Sequence, residues 1–415
     1  MKNVRLKHIV STGLAIFSML FGAGNLMYPL QVGMVSGSLT LFGMIGFMLT
    51  AVCLPIAGLI GMLLFNGDLR AFYHRLGTVA GSSLLFISVL ILGPLVAIPR
   101  ITTLSHTMTA PFLPPFLQTV NLCSSFVFAC IFLSLTFLAT YRENKIVDIL
   151  GKFISPLLLI SLTIIIVLGI IQAHTIVPTS LTAWHAFTVN TIRGYETLDL
   201  LGAIFFASII LTVLKSTIGT GQNPRELATV GLQSGLLGVL LLAIVYAGMS
   251  FLGAYHSHGL AHVNAGELFR EVSFNVLGSY GALLISTAVL MACLSTSIAI
   301  CAVVAEYIQN IIFRHSISYI TALLIVLVAS LPLSTFGLSY VLELTAGPII
   351  YIGYPVLIVL TFCNIGYKLF DFKPVKIPVL IAFLLAATSY YAPGWLKTET
   401  QDLDPVQVKA EVTHL

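Results

Sequence analysis

Long apolar stretches recur along the whole chain and are separated by short polar segments. A helix needs about 20 predominantly apolar residues to cross the hydrocarbon core of a bilayer. By that measure the chain is predicted to form eleven membrane-spanning helices, and an all-α integral membrane protein is the expected fold class. The predicted spans are residues 9–35, 38–65, 81–104, 120–140, 153–172, 187–215, 228–254, 275–312, 317–333, 343–365 and 375–392.

The composition of the chain agrees with this pattern. Hydrophobic residues make up 58% and charged residues 8% of the 415 residues. Soluble proteins carry about a quarter charged residues, because their surface needs polar cover. The composition therefore excludes a soluble globular protein and makes membrane lipid the surrounding medium. The net charge of +4 comes from loop residues that set orientation, so nucleic acid is not an expected partner.

Basic residues are distributed unevenly between the two sides of the predicted helices. With the N-terminus in the cytoplasm, five of the 19 Lys and Arg residues lie outside, namely Arg100, Arg193, Arg270, Lys397 and Lys409. The positive-inside rule favours this orientation. The expected location is therefore a cell inner membrane that the chain crosses many times.

The centre of the first predicted span contains residues that favour an interrupted helix. Gly22, Gly24 and Asn25 are poor helix formers, and Pro29 lacks a backbone donor. A break inside a membrane frees N–H groups that suit a carboxylate and carbonyls that suit a cation. Close packing of a neighbouring helix against the two glycines is an equally open interpretation.

A second interruption is predicted at the start of the sixth span, where Arg193 to Gly202 contains two glycines and two carboxylates. Carriers are often inverted repeats whose corresponding helices are both broken at the binding site. The chain is thus expected to form one transmembrane domain over residues 1–415, with five-helix repeats at about 8–172 and 187–365. Residues 375–392 are expected to add a peripheral helix, and residues 397–415 a flexible outside tail. The alternative is that the polar residues only form an extracellular loop.

Three adjacent hydroxyl residues, Ser295, Thr296 and Ser297, interrupt the apolar eighth span. If they turn toward one site, their oxygens suit a hard cation such as sodium. The alternative is that each hydroxyl bonds back to a carbonyl of its own helix, which is common in membranes.

Several of these segments resemble, in the same order, motifs of the branched-chain amino acid:cation symporter family. The similarity extends over about residues 8–365, and the combination of motifs is more specific than any one of them. The matching segments are Phe21–Leu26 with Pro29, Gly93–Arg100, Gly194–Tyr195 with Thr197, Asp199 and Leu201–Ala203, and Ala292–Leu294 with the hydroxyls that follow.

The resemblance implies the five-plus-five inverted-repeat fold of the amino acid–polyamine–organocation superfamily, with helices one and six broken around the substrate. It also implies a sodium ion between helices one and eight as the coupling ion, and no other cofactor. The implied sodium ligands are the carbonyls of Ser18 and Phe21 and the hydroxyls of Ser295 and Thr296.

The substrate residues are also implied by the resemblance, position by position. The substrate carboxylate is expected at Ala23, Gly24 and Asn25. Tyr195 and Asp199 are expected near the substrate amino group or at an outer gate.

The chain departs from the family pattern in two places. The family usually shows twelve spans where eleven are predicted here, so the final peripheral helix is expected to be lacking. Glu196 stands where the family tends to have an uncharged residue, and it could pair with Arg193 or alter substrate preference.

Two other features of the outer side admit more than one interpretation. Arg100 is predicted at the outer end of the third span, where it would either snorkel to the headgroups or take a structural or gating role. His256, His258 and His262 fit no standard metal motif and are expected in a solvated loop.

The expected function is a secondary active symporter that imports leucine, isoleucine or valine with sodium. A proton-coupled carrier, or one with a broader range of neutral amino acids that includes methionine, is the alternative. An ion channel would need a pore lined by charges or carbonyls, and no filter motif recurs. The chain lacks a P-loop and the common catalytic motifs, so an enzyme is not expected.

Overall fold

The computed structural model describes residues 2–142, 145–218, 224–260, 262–263, 265–337, 340–341, 347 and 349–391. These residues form helices, and none of them lies in a β-strand. The helices of the first half are α1 (Lys2–Leu20), α2 (Ala23–Ser36), α3 (Thr40–Ala51), α4 (Cys53–Leu64), α5 (Leu69–Tyr73), α6 (Thr78–Leu90), α7 (Ala97–Thr109), α8 (Pro115–Gln118), α9 (Leu122–Thr140), α10 (Ile146–Ile149) and α11 (Ser155–Ile171). Those of the second half are α12 (Ala183–Tyr195), α13 (Asp199–Ile218), α14 (Pro224–His256), α15 (Ala265–Leu277), α16 (Ala282–Tyr307), α17 (Tyr319–Ser330), α18 (Tyr354–Phe370) and α19 (Lys376–Tyr391).

The apolar helices coincide with the predicted spans. In the described part of the chain, seven helical segments are long and apolar enough to cross a membrane, and the bent pair α12 and α13 makes an eighth. Three shorter apolar helices lie within α1, α17 and α19. Each of the eleven predicted spans overlaps one of these segments, so the all-α membrane fold is confirmed. Residues 343–346 and 348 of the predicted tenth span, residue 392 of the eleventh and the predicted tail at 397–415 lie outside the described residues.

The first span is broken where the sequence predicted, over a shorter stretch. Helix α1 ends at Leu20 and α2 begins at Ala23, so only Phe21 and Gly22 lie outside a helix. Gly22 has an extended backbone, which turns the chain between the two halves. Pro29 lies inside α2 and does not mark the break.

The sixth span is broken as well, inside the predicted segment from Arg193 to Gly202. Helices α12 and α13 meet at an angle of 41°, with the break at Glu196 to Leu198. Leu198 has a φ of 60°, a left-handed conformation that costs a leucine energy. The two glycines of this segment lie inside the helices instead. Gly194 allows close packing of Thr50, since a Cβ at this position would collide with the threonine side chain.

The third span also contains a break, which the sequence analysis did not predict. Residues Ile91–Leu95 form a π-helical turn in which Gly93 leaves the helical region, and α7 resumes at Ala97. Pro94 lies in this turn and lacks the N–H that a continuous helix would use. The span then runs on to Thr109, beyond the predicted end at residue 104.

The packing of the helices relates the two halves of the chain. The first span packs along α14, the seventh span, while the sixth span packs along α3 and α4, the second span. In two five-helix repeats, helix one corresponds to helix six and helix two to helix seven. Exchanging the corresponding helices converts one packed pair into the other, as such repeats require. Helix α19 packs against α18 and exposes Ile377, Leu380 and Leu385, so its apolar surface faces outward, where lipid would lie.

Candidate functional site

A small cavity, partly open to solvent, lies where the breaks of the first and sixth spans meet. Helix α7 of the third span and α16 of the eighth complete its wall. Its polar lining includes Asn25, Arg100, Asp199 and Thr296, and its apolar lining includes Leu20, Leu92, Ile101, Phe206 and Ile300. The cavity therefore combines one basic and one acidic side chain with an aliphatic and aromatic wall.

Asp199 is buried at the start of α13 and accepts hydrogen bonds from two neutral side chains. The Asn25 amide nitrogen donates to its two carboxylate oxygens at 3.1 and 2.9 Å. The Tyr246 hydroxyl, from α14, donates to Oδ2 at 2.8 Å and also contacts the Asn25 amide. These bonds connect the first, sixth and seventh spans around a carboxylate that is 4% exposed.

Asn25 is thus engaged within the protein on both sides of its amide group. Its Oδ1 accepts a hydrogen bond from the Gly22 N–H at 3.3 Å, which caps the start of α2. This bond and those to Asp199 occupy the side chain that was expected to hold a substrate carboxylate. Asn25 lines the cavity, but its observed contacts position Gly22 and Asp199.

The backbone of Ala23 and Gly24 opens α2 at the edge of the cavity. The first N–H groups of a helix have no partner within it, and they carry a partial positive charge. Gly24 faces the guanidinium of Arg100, and a Cβ at Gly24 would collide with Arg100 Nη2 and lie 3.1 Å from the Tyr28 ring. A side chain at this position would therefore displace the guanidinium from the place it occupies beside α2.

Arg100 lies in the first turn of α7 and lines the cavity. Its side chain is 5% exposed, and its Nη1 donates to the main-chain oxygen of Glu196 at 2.8 Å. The Tyr28 ring lies 5.4 Å from the guanidinium carbon. The snorkelling interpretation is wrong, because nine further residues of α7 follow Arg100 and hold it inside the protein.

Tyr195 and Glu196 lie beside the sixth-span break without lining the cavity. The Tyr195 ring packs against Tyr354 at 5.4 Å, and the Tyr354 hydroxyl accepts the Leu200 N–H at 2.9 Å, satisfying a donor that the break exposes. Glu196 and Arg193 form no ion pair among the described residues, since the helix ends between them. Arg193 Nη1 is buried without a hydrogen-bond partner.

The end of α1 meets α16 at the expected cation position. In a continuous helix the Gly22 N–H would bond to the Ser18 carbonyl, but here it donates to Leu20 O at 2.9 Å. The Thr296 hydroxyl lies 3.4 Å from the freed Ser18 oxygen. Phe21 lies at the break and is fully buried, like Ser18. Two oxygens of the predicted sodium set are therefore adjacent.

The three hydroxyls of the eighth span do not converge, in contrast to the first interpretation. Ser295 bonds back to the Ala292 carbonyl at 2.9 Å, and Ser297 pairs with Thr136 of α9 at 3.2 Å. Successive residues of an α-helix point about 100° apart, so three in a row cannot share one site. Of the three hydroxyls, that of Thr296 contacts a carbonyl of the first span. The buried hydroxyl of Ser295 keeps a lone pair that a cation could use.

Two histidines contact the end of the fifth span and the loop that follows it. His256 Nε2 lies 2.8 Å from the Gly169 carbonyl oxygen, and His258 Nε2 lies 3.0 Å from that of Thr175. Within the described residues, no group of three or more metal-ligating side chains occurs. The bonds to main-chain carbonyls were not predictable, because the partners are more than 80 residues away in sequence.

Solved structures with the same architecture define the fold. Mhp1, a nucleobase–cation symport-1 family transporter with bromovinylhydantoin bound, superposes with a TM-score of 0.58 at 15% identity and covers 97% of this chain and 93% of its own. A Na⁺-coupled sialic acid symporter superposes with a TM-score of 0.55 at 13% identity, covering 93% and 90%. The chain has the inverted-repeat fold of these membrane transporters, with helices one and six broken.

The family follows from the sequence as a whole. The family model for branched-chain amino acid transport protein matches residues 5–402, and the chain belongs to this family. BrnQ of Bacillus subtilis, a branched-chain amino acid permease, is 30% identical over 96% of this chain and 90% of its own length. BraB of the same organism is 29% identical over 89% and 82%, and BrnQ of Lactobacillus delbrueckii is 28% identical over 91% and 85%. The protein is accordingly a transporter and not an enzyme.

Proposed function

We propose that the protein is a secondary active symporter that imports branched-chain amino acids together with sodium. The observation that carries this proposal is the cavity at the two broken helices, where the Thr296 hydroxyl meets the freed carbonyl of Ser18. Membership in a family of branched-chain amino acid transport proteins supports the substrate class.

The wall of the cavity suits a zwitterion with an aliphatic side chain. Asp199 supplies a carboxylate for the substrate ammonium group, and the N-terminus of α2 at Ala23 and Gly24 favours the substrate carboxylate. Leu20, Ile101 and Phe206 offer apolar contact for a branched side chain. Leucine, isoleucine and valine differ by one methylene or one branch, so such a wall separates them by only about 10- to 200-fold.

The proposed cation ligands are the carbonyls of Ser18 and Phe21 and the hydroxyls of Ser295 and Thr296. Sodium bound there would hold the end of α1 against α16 and stabilise the break that also forms the start of α2. Cation binding and substrate binding would then favour the same arrangement of the first span. By linkage, each ligand raises the affinity of the other by the same factor.

A proton-coupled carrier is the second candidate, and the surroundings of Asp199 favour it. The carboxylate is buried, and its hydrogen-bond partners, Asn25 and Tyr246, are neutral. Protonation of Asp199 would remove a buried charge, and the Tyr246 oxygen is close enough to accept the new O–H. Coupling through Asp199 would make transport depend on the proton gradient and not on sodium.

Leucine binding by the purified protein tests the proposal and separates the two candidates. At fixed pH, replacing choline by sodium is expected to tighten leucine binding at least about tenfold, since typical coupling free energies are 1–3 kcal/mol. Competition by isoleucine, valine and methionine then gives the substrate range. Binding that is indifferent to sodium and tightens on acidification would support the proton-coupled candidate.

A further inference from the structure

Arg100 is a buried cation that contacts no carboxylate directly within the part of the chain that the structure describes, although the carboxylates of Glu196 and Asp199 lie close enough to interact with its charge. None of the ion pairs between described residues includes it, although Asp199 lines the same cavity. Its protein acceptor is a neutral carbonyl, that of Glu196, which engages Nη1. A buried charge is costly unless it is paired, and charges inside a membrane protein mark substrate or ion pathways.

The free edge of the guanidinium is directed at the start of α2. Nη2 lies against Gly24, in the space that any side chain at this position would fill. The guanidinium and the unpaired N–H groups at the N-terminus of α2 therefore attract an anion to the same place. Arginine presents its donors as a rigid fork, which matches the two oxygens of a carboxylate.

The cavity also supplies the opposite charge at a separate position. Asp199, at the start of α13, is held by Asn25 and Tyr246 and faces the same space as Arg100. One basic and one acidic side chain that do not pair with each other complement a ligand that carries both charges. A free α-amino acid carries both an ammonium group and a carboxylate, whereas an amine or an amino acid amide carries only the ammonium group.

We propose that Arg100 binds the α-carboxylate of the substrate through a bidentate contact and so makes the cavity selective for free amino acids. This inference rests on the proposed function, and it adds a side chain of the third span to a carboxylate site that was expected only at Ala23, Gly24 and Asn25. It also assigns Gly24 the role of leaving space for the arginine.

Leucine and leucinamide are the probes that test this contact. They share the ammonium group and the side chain, and differ in the charge of the group that Arg100 would bind. The wild-type protein is expected to bind leucine at least about 100-fold more tightly than leucinamide, because hydrogen bonds to a charged group carry most of the difference. In Arg100→Gln, leucine binding is expected to weaken about 10- to 100-fold and leucinamide binding to change less than about threefold.

Arg193→Gln is the matched control, since Arg193 is a second arginine near the sixth-span break that does not line the cavity. This variant is expected to keep the wild-type ratio of leucine to leucinamide affinity. If Arg100→Gln does not elute as a single species, Arg100→Lys gives the same comparison. Lysine keeps the charge but lacks the fork, so the ratio is expected to fall at least about threefold.

Two results would overturn the proposal: an equal loss of affinity for leucine and leucinamide in Arg100→Gln, or an unchanged ratio of the two affinities in Arg100→Lys. Arg100 would then only link the third span to the sixth. Failure of the wild-type protein to bind leucine at all would instead contradict the proposed function. The two failures are therefore distinguishable in one set of titrations.

Discussion

The side-chain amide of Asn25 lies 2.9 Å from Oδ2 of Asp199, which joins the broken first span to the broken sixth. Neither residue is in the interior of a continuous helix, since each lies within the first turn after a break. The bond fixes the two helix starts relative to each other, and with them the position of the carboxylate in the cavity. A substrate ammonium group would meet a carboxylate that is already oriented, which lowers the cost of binding.

Asp199→Asn tests the role of this carboxylate. Asparagine has nearly the same shape and can still accept from Asn25 or Tyr246, so thermal stability is expected to change little. Leucine binding is expected to weaken at least about tenfold, since an ammonium group loses its charged partner. Asp148→Asn, on an exposed pair with Lys152, is the control and should bind leucine normally. Unaltered leucine affinity in Asp199→Asn would contradict a role in ammonium binding.

The broken first span could be predicted from local residues, because Gly22, Gly24 and Asn25 all disfavour a helix at one place. The sixth-span break could be predicted only approximately. Gly194 of this segment serves close packing, and the chain turns at Leu198 instead. The break leaves the Leu200 N–H without a partner in its own helix, and the Tyr354 hydroxyl, 154 residues away in sequence, accepts it. No local pattern contains that partner. The third-span break had a local signal, Gly93 followed by Pro94, that apolar length alone does not reveal.

The charged site was less predictable than the fold. Asp199 was expected at the site. The position of Arg100 depends on the third-span break and on where α7 ends. Because the predicted span ended at residue 104, the arginine was expected near the headgroups. The bonds of Asn25 to Asp199 and Tyr246 join residues 174 and 221 positions apart. Pairings of that kind follow from the packing of the first, sixth and seventh spans. The repeat boundaries and the cytoplasmic N-terminus stay predictions.

Thr296→Ala is expected to raise the sodium concentration that gives half-maximal leucine uptake by about tenfold, the effect of losing one hydroxyl ligand. At saturating sodium the maximal uptake should stay close to normal, because the substrate contacts are intact. Ser297→Ala is the matched control, since that hydroxyl points to Thr136. Equal loss of uptake at every sodium concentration in Thr296→Ala would point to a folding defect and against a cation ligand.

Gly24→Leu is expected to abolish leucine binding in protein that still elutes as a single species. Any side chain at this position would displace the Arg100 guanidinium and press on the Tyr28 ring. Gly353→Leu is the comparison, because a Cβ at Gly353 meets no other atom within 4 Å. Near-normal leucine affinity in Gly24→Leu would mean that the glycine serves helix packing and that the substrate lies elsewhere.

Orientation in the membrane gives a prediction that does not depend on the site. A reporter fused at the C-terminus should be detected outside the cell, and one inserted between Arg142 and Lys152 should be detected inside. The reason is the excess of basic residues in the loops assigned to the cytoplasm. Detection of both reporters on the same side would show that the number of spans between them is not odd.

Uptake of radiolabelled leucine into proteoliposomes tests the central claim most directly, with sodium replaced by choline at fixed pH. An inward sodium gradient is expected to accumulate leucine above its external concentration, and choline should reduce uptake to the level of protein-free vesicles. Accumulation that persists in choline and follows an imposed proton gradient would contradict sodium coupling, and ion current without leucine accumulation would contradict symport altogether.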